Sequence, residues 1–511
     1  MTSAVLPDAL AHTLELPSPA ATEALAVELS LMARPGLVIL LKGDLGAGKS
    51  TFARAFIRAL MVDPGAADIP SPTFTLVQAY SETRVPVLHA DLYRATTAAD
   101  VAELGLDDQT GDHLLLVEWP ERGSWAHFAD VLEIALDGHG ERRVARLAAR
   151  GAWARALARN ADIANFLASG SWHDATRRFL EGDASSRRYE QLDRAAQRAI
   201  LMDMPARPDG PPVKDGLPYS AIAHLAEDIS AVVAVNGELV ARGFSAPRVL
   251  AFDVARGLAV IEDLGPSQYG RMIASGADMR APMLEAVAVL AAIAGQTWPA
   301  RVRLDNGRDH AVPPYDMRAQ LIEADLLPSW FWPYLHGTAV PRDIRAEFES
   351  LWGTVLPQSV AEAPVWTLRD FHSPNLIWKP EREGLARVGL IDTQDCVLGH
   401  PAYDLASLLQ DARTDIDFPW ADELFAHYRS LRPGIDHAAF ASAYAILGAQ
   451  RATKILGIFA RLSQRDGKPG YLRHMPRVSR YLERNLAHPV LAPLKRWYDK
   501  HLPPTLREAK R

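Results

Sequence analysis

The sequence has only one cysteine, Cys396, in 511 residues. A single thiol excludes an internal disulfide and a cysteine zinc cluster, and it favours a reducing compartment. No apolar stretch approaches the roughly 18 residues of a membrane helix. No basic segment followed by an apolar core opens the chain. We therefore expect a cytoplasmic protein that is neither exported nor inserted into a membrane.

An excess of positive charge is also absent. The formal net charge is −7, which argues against broad electrostatic binding of nucleic acid by the whole chain. Several arginines lie between Glu141 and Arg159, so the sequence does not exclude a local basic patch there. There is no low-complexity tract, and 48% of the residues are hydrophobic, as in globular proteins. The length predicts roughly two to four domains.

What the chain does contain is a complete phosphate-loop motif, between an apolar run at 37–41 and a helix-prone segment that starts at Thr51. A strand, a glycine turn and a helix start form the context that this loop requires. Backbone N–H groups then surround phosphate oxygens, Lys49 adds a positive charge, and Ser50 offers a hydroxyl to Mg²⁺. The motif predicts nucleotide binding rather than a purely structural turn. Its residues are Gly43, Asp44, Leu45, Gly46, Ala47, Gly48, Lys49 and Ser50.

Two carboxylates follow apolar runs further along the chain. Asp91 lies in HADLYR and Glu118 in VEWP, positions where phosphate-loop enzymes hold Mg²⁺ or orient the attacking water. Taken alone, each carboxylate equally suits a helix cap or a pair with an arginine. Strand-like runs alternate with helical patterns through residues 1–155, which predicts an α/β domain with a largely parallel sheet. These runs are 36–41, 85–89, 114–117 and 131–136.

The blocks GDLGAGKS, SPTFT, HADLYR and VEWP resemble, in order and spacing, those of the bacterial TsaE family. We therefore predict a TsaE-like phosphate-loop ATPase domain over residues 1–157. TsaE proteins are small ATPases needed for threonylcarbamoyladenosine modification of tRNA. They act within a larger complex, so the resemblance implies TsaB/TsaD-like proteins as partners.

The same resemblance implies ATP and Mg²⁺ as cofactors. Ser50 and Glu118 would ligate the metal, and Asp91 would join Glu118 as a catalytic carboxylate that assists hydrolysis. Trp119 would pack near the nucleotide, and Arg143 would approach it from the last strand. The family more often has threonine at the position of Ser50, but either hydroxyl can bind the metal.

A second constellation lies in LRDFHSPNLIW, where Asp370 and Asn375 are five positions apart, and in the strand that ends at Asp392. In kinases one carboxylate accepts the proton of the attacking hydroxyl, while an amide and a second carboxylate hold Mg²⁺. The Asp–Asn spacing alone arises by chance and also suits a turn. An apolar strand after the Asn, followed by a partner strand that ends in Ile-Asp, is much rarer.

Two earlier segments also suit a kinase. Residues 181–189 can form a hairpin loop over the phosphates, although they equally suit a plain turn. Residues 259–265 read as a buried strand entering a lobe connector, whose backbone can pair with adenine. Strand-like stretches continue to about Ile261, and the remainder is mostly helical.

The blocks FLEGDASSRRYE, VIEDLG, LRDFHSPNLIW and GLIDTQDCVLGHPAYDLASLLQDAR resemble the aminoglycoside phosphotransferase-like kinases. Within that superfamily they are most similar to the AmgK group, which phosphorylates the anomeric hydroxyl of N-acetylmuramate and N-acetylglucosamine in cell-wall recycling. The resemblance implies a two-lobed, protein-kinase-like α+β domain over residues 162–511. We place the N-lobe at about 162–262 and the C-lobe at about 263–511.

The kinase resemblance also implies site residues. Asp370 would be the catalytic base, Asn375 and Asp392 the Mg²⁺ ligands, and Asp404 a structural anchor of the catalytic loop. Glu262 and Leu264 would belong to the adenine hinge. The other implied contacts are Asp183, Ser185, Ser186 and Arg187 to the phosphates of ATP, and Tyr315, Asp316 and Asp395 to the sugar.

One position departs from the kinase pattern. Kinases carry a lysine or arginine on the third strand, but this chain has Asp203 near that position. A carboxylate there would repel ATP phosphates. Either Arg187 and Arg188 supply the missing charge, or Glu238 lacks its usual ion-pair partner and the lobe is arranged differently.

The sequence thus predicts a bifunctional protein with two separate ATP–Mg²⁺ sites, one serving tRNA modification and one phosphorylating an amino sugar. Two alternatives stay open. In the first, the kinase domain acts on another alcohol, such as an aminoglycoside, choline or homoserine. In the second, it is a catalytically silent binding module, for which the missing third-strand cation is the best argument.

Overall fold

The computed structural model describes residues 9–61, 69–72, 75–138, 140–180, 187–206, 210–359 and 363–507. The chain divides into two compact units. One comprises Met1–Glu181 and Glu190–Gln197, and the other comprises Gly182–Tyr189 and Arg198–Arg511. Residues 158–161, between the two predicted domains, lie inside a continuous helix, Ala152–Ala168. The predicted domain limits themselves stay a prediction.

The first unit is an α/β fold around a seven-stranded sheet. Its strands are β1 Ala9–Leu16, β2 Val38–Lys42, β3 Val77–Tyr80, β4 Val87–Asp91, β5 Leu114–Glu118, β6 Val131–Asp137 and β7 Arg143–Arg150. Its helices are α1 Pro19–Ser30, α2 Lys49–Leu60, α3 Ala98–Ala102, α4 Leu106–Gln109 and α5 Ala152–Ala168.

The strand order is β1-β7-β6-β2-β5-β4-β3. The four central strands are parallel, whereas β1, β7 and β3 pair antiparallel at the edges. The predicted α/β domain is confirmed. The antiparallel edges arise because short connections join β3 to β4 and β6 to β7, and a parallel pair needs a longer crossover.

Both faces of the central strands are buried, as β2 illustrates. Ile39 and Leu41 enter a core shared with α1, α2 and α5. Val38 and Leu40 enter a core on the other face, with residues of α3 and α4. Parallel strands covered on both faces read as continuous apolar runs, which is why 37–41 was recognisable in the sequence. This packing fixes the carboxyl ends of β2, β4 and β5 side by side.

A second sheet has five strands, in the order β13-β14-β10-β9-β8. The elements up to its last strand are β8 Thr176–Leu180, β9 Arg188–Arg194, β10 Gln197–Asp203, β11 Pro212–Lys214, β12 Leu217–Pro218, α6 Tyr219–Ile222, α7 Ser230–Ala241, β13 Val249–Asp253 and β14 Leu258–Glu262. Strands β10, β13 and β14 pair antiparallel.

After Glu262 the chain is mainly helical, as predicted. The helices are α8 Tyr269–Ala274, α9 Arg280–Ala294, α10 Met317–Ala324, α11 Trp332–His336, α12 Arg342–Val355, α13 Ala402–Leu409, α14 Phe418–Leu431, α15 His437–Gln464, α16 Met475–Leu486, α17 Ala492–His501 and α18 Pro504–Arg507. The strands are β15 Arg301–Arg303, β16 Asp309–Ala311, β17 Val365–Thr367, β18 Leu376–Trp378, β19 Val388–Leu390 and β20 Val397–Gly399.

Two short antiparallel strand pairs lie in this helical region, beside the predicted catalytic segments. β17 pairs with β20, and β18 pairs with β19. The loop from Thr367 to Leu376 therefore starts and ends on fixed strands, and Asp392 follows β19 closely. Among the described residues, no helix has both the length and the apolar character to cross a membrane.

Candidate active sites

The phosphate loop joins β2 to α2, and its glycines permit the backbone path. Gly43 has a φ of 138°, and a Cβ there would lie 2.3 Å from the Leu136 carbonyl oxygen. Gly48 has a φ of 101° and precedes α2 without a side-chain cap. The first N–H groups of α2 are thus left for a ligand, and a helix N-terminus of this kind favours an anion.

Lys49 is held against its own loop. Its ammonium donates to the carbonyl oxygens of Gly43 and Asp44, at 2.6 and 2.9 Å. It also lies 3.7 Å from the centre of the Trp119 ring. Burial lowers the pKa of Lys49, and the Glu118 carboxylate acts in the opposite direction. A charge in this position is only partly compensated, which fits a site for phosphate.

Glu118, at the end of β5, connects two other polar side chains. The Ser50 hydroxyl donates to one Glu118 oxygen at 2.9 Å, and His89 Nε2 lies 3.0 Å from the other. Glu118 and His89 are both 1% exposed. The His89 Nδ1 atom has no partner among the described residues. Sequence reasoning missed His89, although its place two residues before Asp91 on β4 puts both side chains on one face of the strand.

Asp91 lies opposite Glu118 in the β4–β5 register. It accepts from the Tyr93 backbone N–H at 3.1 Å and from the Ser71 hydroxyl at 3.2 Å. Trp119 follows Glu118 with a φ of 59°, and its ring lies 5.0 Å from that of Tyr93. The structure therefore brings the predicted residues Lys49, Ser50, Asp91, Glu118 and Trp119 to one edge of the sheet.

Arg143 supports the phosphate loop from β7. Its guanidinium donates to the Ala47 carbonyl at 2.8 Å and to the Gly46 carbonyl at 2.9 Å. Two more bonds go to Gly140 and Arg142, at 2.7 and 2.8 Å. The side chain holds the outer carbonyls of the loop, and its approach to the nucleotide stays a prediction.

The kinase-like site is built on a loop fixed by buried polar groups. Asp404 accepts from the N–H groups of Leu368 and Arg369, at 2.6 and 2.9 Å, which confirms the predicted anchor. Arg369 has a φ of 66° and a buried ion pair with Glu323. Lys454 donates to the same Glu323 at 2.8 Å. These contacts determine where the next residue, Asp370, stands.

Asp370 is ringed by positive charge. Burial alone raises its pKa, but His372, Lys454, Arg369 and Arg451 hold that pKa below its usual value. Asp370 is therefore ionised at neutral pH, the state required of a base. Asn375 lies close by and donates to the Asp370 carbonyl at 3.0 Å.

Asp392 has a φ of 61° and accepts from Arg187 at 2.6 Å and from Gln394 at 3.0 Å. Burial raises its pKa. Arg187 opposes that effect, and the Asp370 and Asp395 carboxylates add to it. Asp392 therefore lies where a divalent cation would relieve repulsion between carboxylates. Among the described residues no three His, Cys, Asp or Glu side chains form a metal cluster.

The predicted sugar contacts have other partners in the structure. Tyr315 is buried, and its hydroxyl donates to Glu323. Asp316 caps α10 by accepting from the Ala319 N–H at 2.8 Å. Asp395 accepts from the Ala226 N–H at 2.7 Å. Of the three, Asp395 has a carboxylate whose negative charge raises the pKa of Asp392. The assignment of all three to the sugar stays a prediction.

The predicted adenine hinge is tied to the β18–β19 region. Glu262 accepts from Arg382 at 2.6 Å and from Arg248 at 3.1 Å. The buried Lys379 donates to the Leu264 carbonyl at 3.0 Å. The Glu262 side chain is thus engaged by arginines, and its place in an adenine hinge stays a prediction.

Three of the predicted phosphate contacts, Asp183, Ser185 and Ser186, lie outside the described residues. Arg187 is described and bonds Asp392. Asp203, at the end of β10, is buried. Glu238 pairs with Arg242 on its own helix at 3.1 Å. Kinases form an ion pair between the third strand and the following helix. Here the strand carries Asp203, and Glu238 of the helix pairs with Arg242 instead.

Comparisons with known proteins agree with these two sites. Residues 16–145 match the family of the threonylcarbamoyl adenosine biosynthesis protein TsaE. Residues 176–444 match the phosphotransferase enzyme family. The chain belongs to that phosphotransferase family, and it carries a TsaE-type domain before it. Both predicted resemblances are confirmed, as is the prediction that the chain is an enzyme.

Individual relatives cover the two parts separately. An N-acetylmuramate/N-acetylglucosamine kinase of Caulobacter vibrioides is 42% identical over 355 residues, 68% of this chain and 97% of the relative. A tRNA threonylcarbamoyladenosine biosynthesis protein TsaE of Rickettsia conorii is 38% identical over 110 residues, 22% of this chain and 61% of the relative. The crystal structure of Bacillus subtilis YdiB matches 30% of this chain and 97% of its own, at 28% identity and a TM-score of 0.25.

Proposed function

We propose that this protein combines an ATPase for threonylcarbamoyladenosine modification of tRNA with a kinase for the anomeric hydroxyl of N-acetylmuramate and N-acetylglucosamine. Both activities would use ATP and Mg²⁺ in the cytoplasm. The names of the relatives from Caulobacter vibrioides and Rickettsia conorii support this assignment. The roles of individual residues follow from the contacts described above.

In the first site, the N–H groups at the start of α2 and the Lys49 ammonium bind the phosphates. The Ser50 hydroxyl and a Glu118 carboxylate oxygen already lie 2.9 Å apart, and both would ligate the metal. Asp91 orients the water that attacks the terminal phosphoryl group. Arg143 keeps the loop carbonyls turned away from the phosphates.

In the second site, Asp370 accepts the proton of the sugar hydroxyl because its carboxylate is held ionised by surrounding cations. Asn375 and Asp392 hold the metal, and bound Mg²⁺ supplies the positive charge that phosphoryl oxygens need during transfer. Little covalent chemistry is asked of the protein, so alignment of base and phosphate is the main requirement.

The observation that carries the proposal is the fixed catalytic loop. Asp370 is positioned by Asp404 on one side and by the Arg369–Glu323–Lys454 cluster on the other. A silent binding module has no need for a buried, charged support beneath an ionised carboxylate. The sugar identity rests on the named relatives alone.

The kinase assignment is tested by a panel of alcohols with the full chain carrying Lys49→Ala, so that the first site does not consume ATP. Transfer of labelled phosphate to N-acetylmuramate and N-acetylglucosamine, lost in Asp370→Asn, is the expected result. Transfer only to an aminoglycoside, choline or homoserine would replace the sugar assignment. No transfer to any alcohol would favour the silent module.

The ATPase assignment requires partners. We expect the full chain to support tRNA modification in a reaction reconstituted with TsaB/TsaD-like proteins, ATP and unmodified tRNA. The Lys49→Ala variant would not support it, whereas Asp370→Asn would. Equal modification with and without this chain would contradict the assignment.

A further inference from the structure

The charge missing from the third strand is present elsewhere in the kinase site. Arg187 precedes β9 and donates to a carboxylate oxygen of Asp392 at 2.6 Å. Its side chain is only 13% exposed. The negative charges of Asp392, Asp395 and Asp370 all act on it. Arg187 thus serves as counterion to the group that is expected to hold the metal.

The contacts around Arg187 make this arrangement specific. The Tyr189 hydroxyl, two residues further along, bonds the Arg187 guanidinium. Burial raises the pKa of that hydroxyl to about 12, so it stays neutral beside the arginine. Gln394 supports the same oxygen of Asp392 at 3.0 Å. The pair of Arg187 and Asp392 is therefore supported by one neutral hydroxyl and one neutral amide.

The third strand and α7 do not provide an alternative cation at this point. β10 ends in Asp203, and Glu238 of α7 is already paired with Arg242. Instead, α7 contacts the segment that contains Asp392 through neutral side chains. The Thr393 hydroxyl, next to Asp392, donates to Asn236 at 2.6 Å. The link between α7 and this segment is preserved, but it carries no charge.

We propose that Arg187 takes the place of the third-strand lysine, and that it rests on Asp392 until the metal–nucleotide complex arrives. Arg187 then leaves Asp392, which would hold the metal, and its released guanidinium binds the phosphates. This inference rests on the proposed kinase function of the site. It adds to that function an internal cation that is exchanged for the metal.

Simple electrostatics supports an exchange. A divalent ion and a guanidinium cannot both stay in contact with one carboxylate oxygen without strong repulsion. A long arginine side chain can change partners by rotation, and its planar donors match phosphate oxygens.

The test measures two affinities in the full chain. Arg187→Gln removes the charge and leaves a shorter, neutral amide donor. Because Asp392 is then free of its counterion, we expect Mn²⁺ alone to bind about tenfold more tightly, by calorimetry and electron paramagnetic resonance. Because the phosphates lose a cation, Mg²⁺ with a non-hydrolysable ATP analogue should bind the kinase site about tenfold more weakly. Adenosine affinity should not change.

Arg256→Gln is the matched control, since it removes an arginine charge from a surface pair with Asp253 at 2.7 Å. It should leave both affinities unchanged, and Arg187→Lys should restore part of the analogue affinity. The opposite signs in Arg187→Gln are decisive, because loss of folding would weaken both ligands together. A parallel fall in both affinities, or the same split in Arg256→Gln, would overturn the proposal.

These binding measurements do not depend on the sugar. A wild-type chain that phosphorylates no sugar but shows the opposite signs would refute the substrate assignment and keep the exchange. A chain that phosphorylates N-acetylmuramate but shows no split would do the reverse. The two ideas therefore fail separately.

Discussion

The two sites hold their phosphate-binding cations at rest in different ways. Lys49 is bonded to neutral carbonyls of its own loop, at 2.6 and 2.9 Å. Arg187 is bonded to the carboxylate of Asp392, the proposed metal ligand, at 2.6 Å. In the first site the nucleotide would gain a cation whose hydrogen bonds, among the described residues, go to neutral carbonyls. In the second it must compete with an ion pair, so the second site should be more sensitive to the metal.

The sites also share a physical feature. In each, a non-glycine residue with positive φ lies at or beside a functional carboxylate: Trp119 after Glu118, Arg369 before Asp370, and Asp392 itself. Such backbone conformations are unfavourable and persist only where surrounding contacts impose them. The contacts that impose them here are the rigid strand ends and the buried acceptors of the catalytic loop.

The largest expected effect separates the two chemistries. Asp370→Asn removes the base and should lower kcat/KM for sugar phosphorylation by about 10³-fold to 10⁴-fold. Nucleotide hydrolysis at the first site should not change. Steady-state assays of both activities on one preparation measure this, and a Lys49→Ala chain with normal sugar phosphorylation is the matched control. Retention of full kinase activity in Asp370→Asn would remove Asp370 from the mechanism.

Because Asp404, which supports the catalytic loop, is buried, we expect the free energy of unfolding of the second unit to depend on pH. Burial raises the pKa of Asp404 to about 7. Asp404 of the folded chain keeps its proton up to about pH 7, whereas the unfolded chain releases that proton near pH 4, at about the ordinary pKa of an aspartate. The contribution of Asp404 to the free energy of unfolding is therefore fully present at low pH. It is lost as pH rises from about 4 to about 7, by about 4 kcal/mol in total. Urea unfolding of the second unit at several pH values measures the slope.

Asp404→Asn should lack this slope while losing a constant amount of stability, because an amide accepts from only one of the two N–H groups. The first unit should unfold with unchanged pH dependence in both proteins. An identical slope in Asp404→Asn would show that another group titrates.

At the phosphate loop, Lys49→Ala should lower nucleotide hydrolysis by about 100-fold, because the loop loses its only ammonium near the phosphates. Filter-binding and hydrolysis assays on the full chain measure the loss. The kinase site should keep its affinity for Mg²⁺ with an ATP analogue. Normal hydrolysis in Lys49→Ala would place the reaction elsewhere.

The sequence was most informative where chemistry needs a continuous stretch of chain. The phosphate loop and the segment from Asp370 to Asn375 were predicted from local patterns, and the anchor Asp404 was implied by the kinase resemblance. The parallel centre of the first sheet was predicted for the same reason, because buried strands give unbroken apolar runs.

What sequence could not provide was the pairing of residues far apart in the chain. Arg187 and Asp392 are separated by more than 200 positions, and Lys379 meets the Leu264 carbonyl across the hinge. The bond between His89 and Glu118 also depends on the register of β4 against β5. Such contacts depend on how strands and helices pack, which a local pattern does not contain.

A smaller effect is expected for the arginine that braces the phosphate loop. Arg143→Ala removes donors from the Gly46 and Ala47 carbonyls, so the loop loses a support but none of its phosphate ligands. We expect nucleotide affinity at the first site to fall about tenfold. Arg146→Ala is the control, since Arg146 is exposed on the same strand and pairs with Asp137 at 3.7 Å. Equal effects of the two variants would count against the brace.

The smallest change is expected for Ser50→Thr, which keeps the hydroxyl bonded to Glu118. Metal-dependent hydrolysis should stay within about twofold of wild type, because either hydroxyl suits Mg²⁺. Ser50→Ala, which lacks the hydroxyl, should lose metal dependence. A threonine variant as defective as the alanine variant would show that side-chain volume, and not the hydroxyl, matters here.

The most direct measurement is calorimetric titration of the full chain with a non-hydrolysable ATP analogue and Mg²⁺. We predict that two molecules of the analogue bind per wild-type chain, and that one binds per chain of the Lys49→Ala variant and of the Asp392→Ala variant. A single bound molecule in the wild type, or the loss of all binding in either variant, would contradict this prediction.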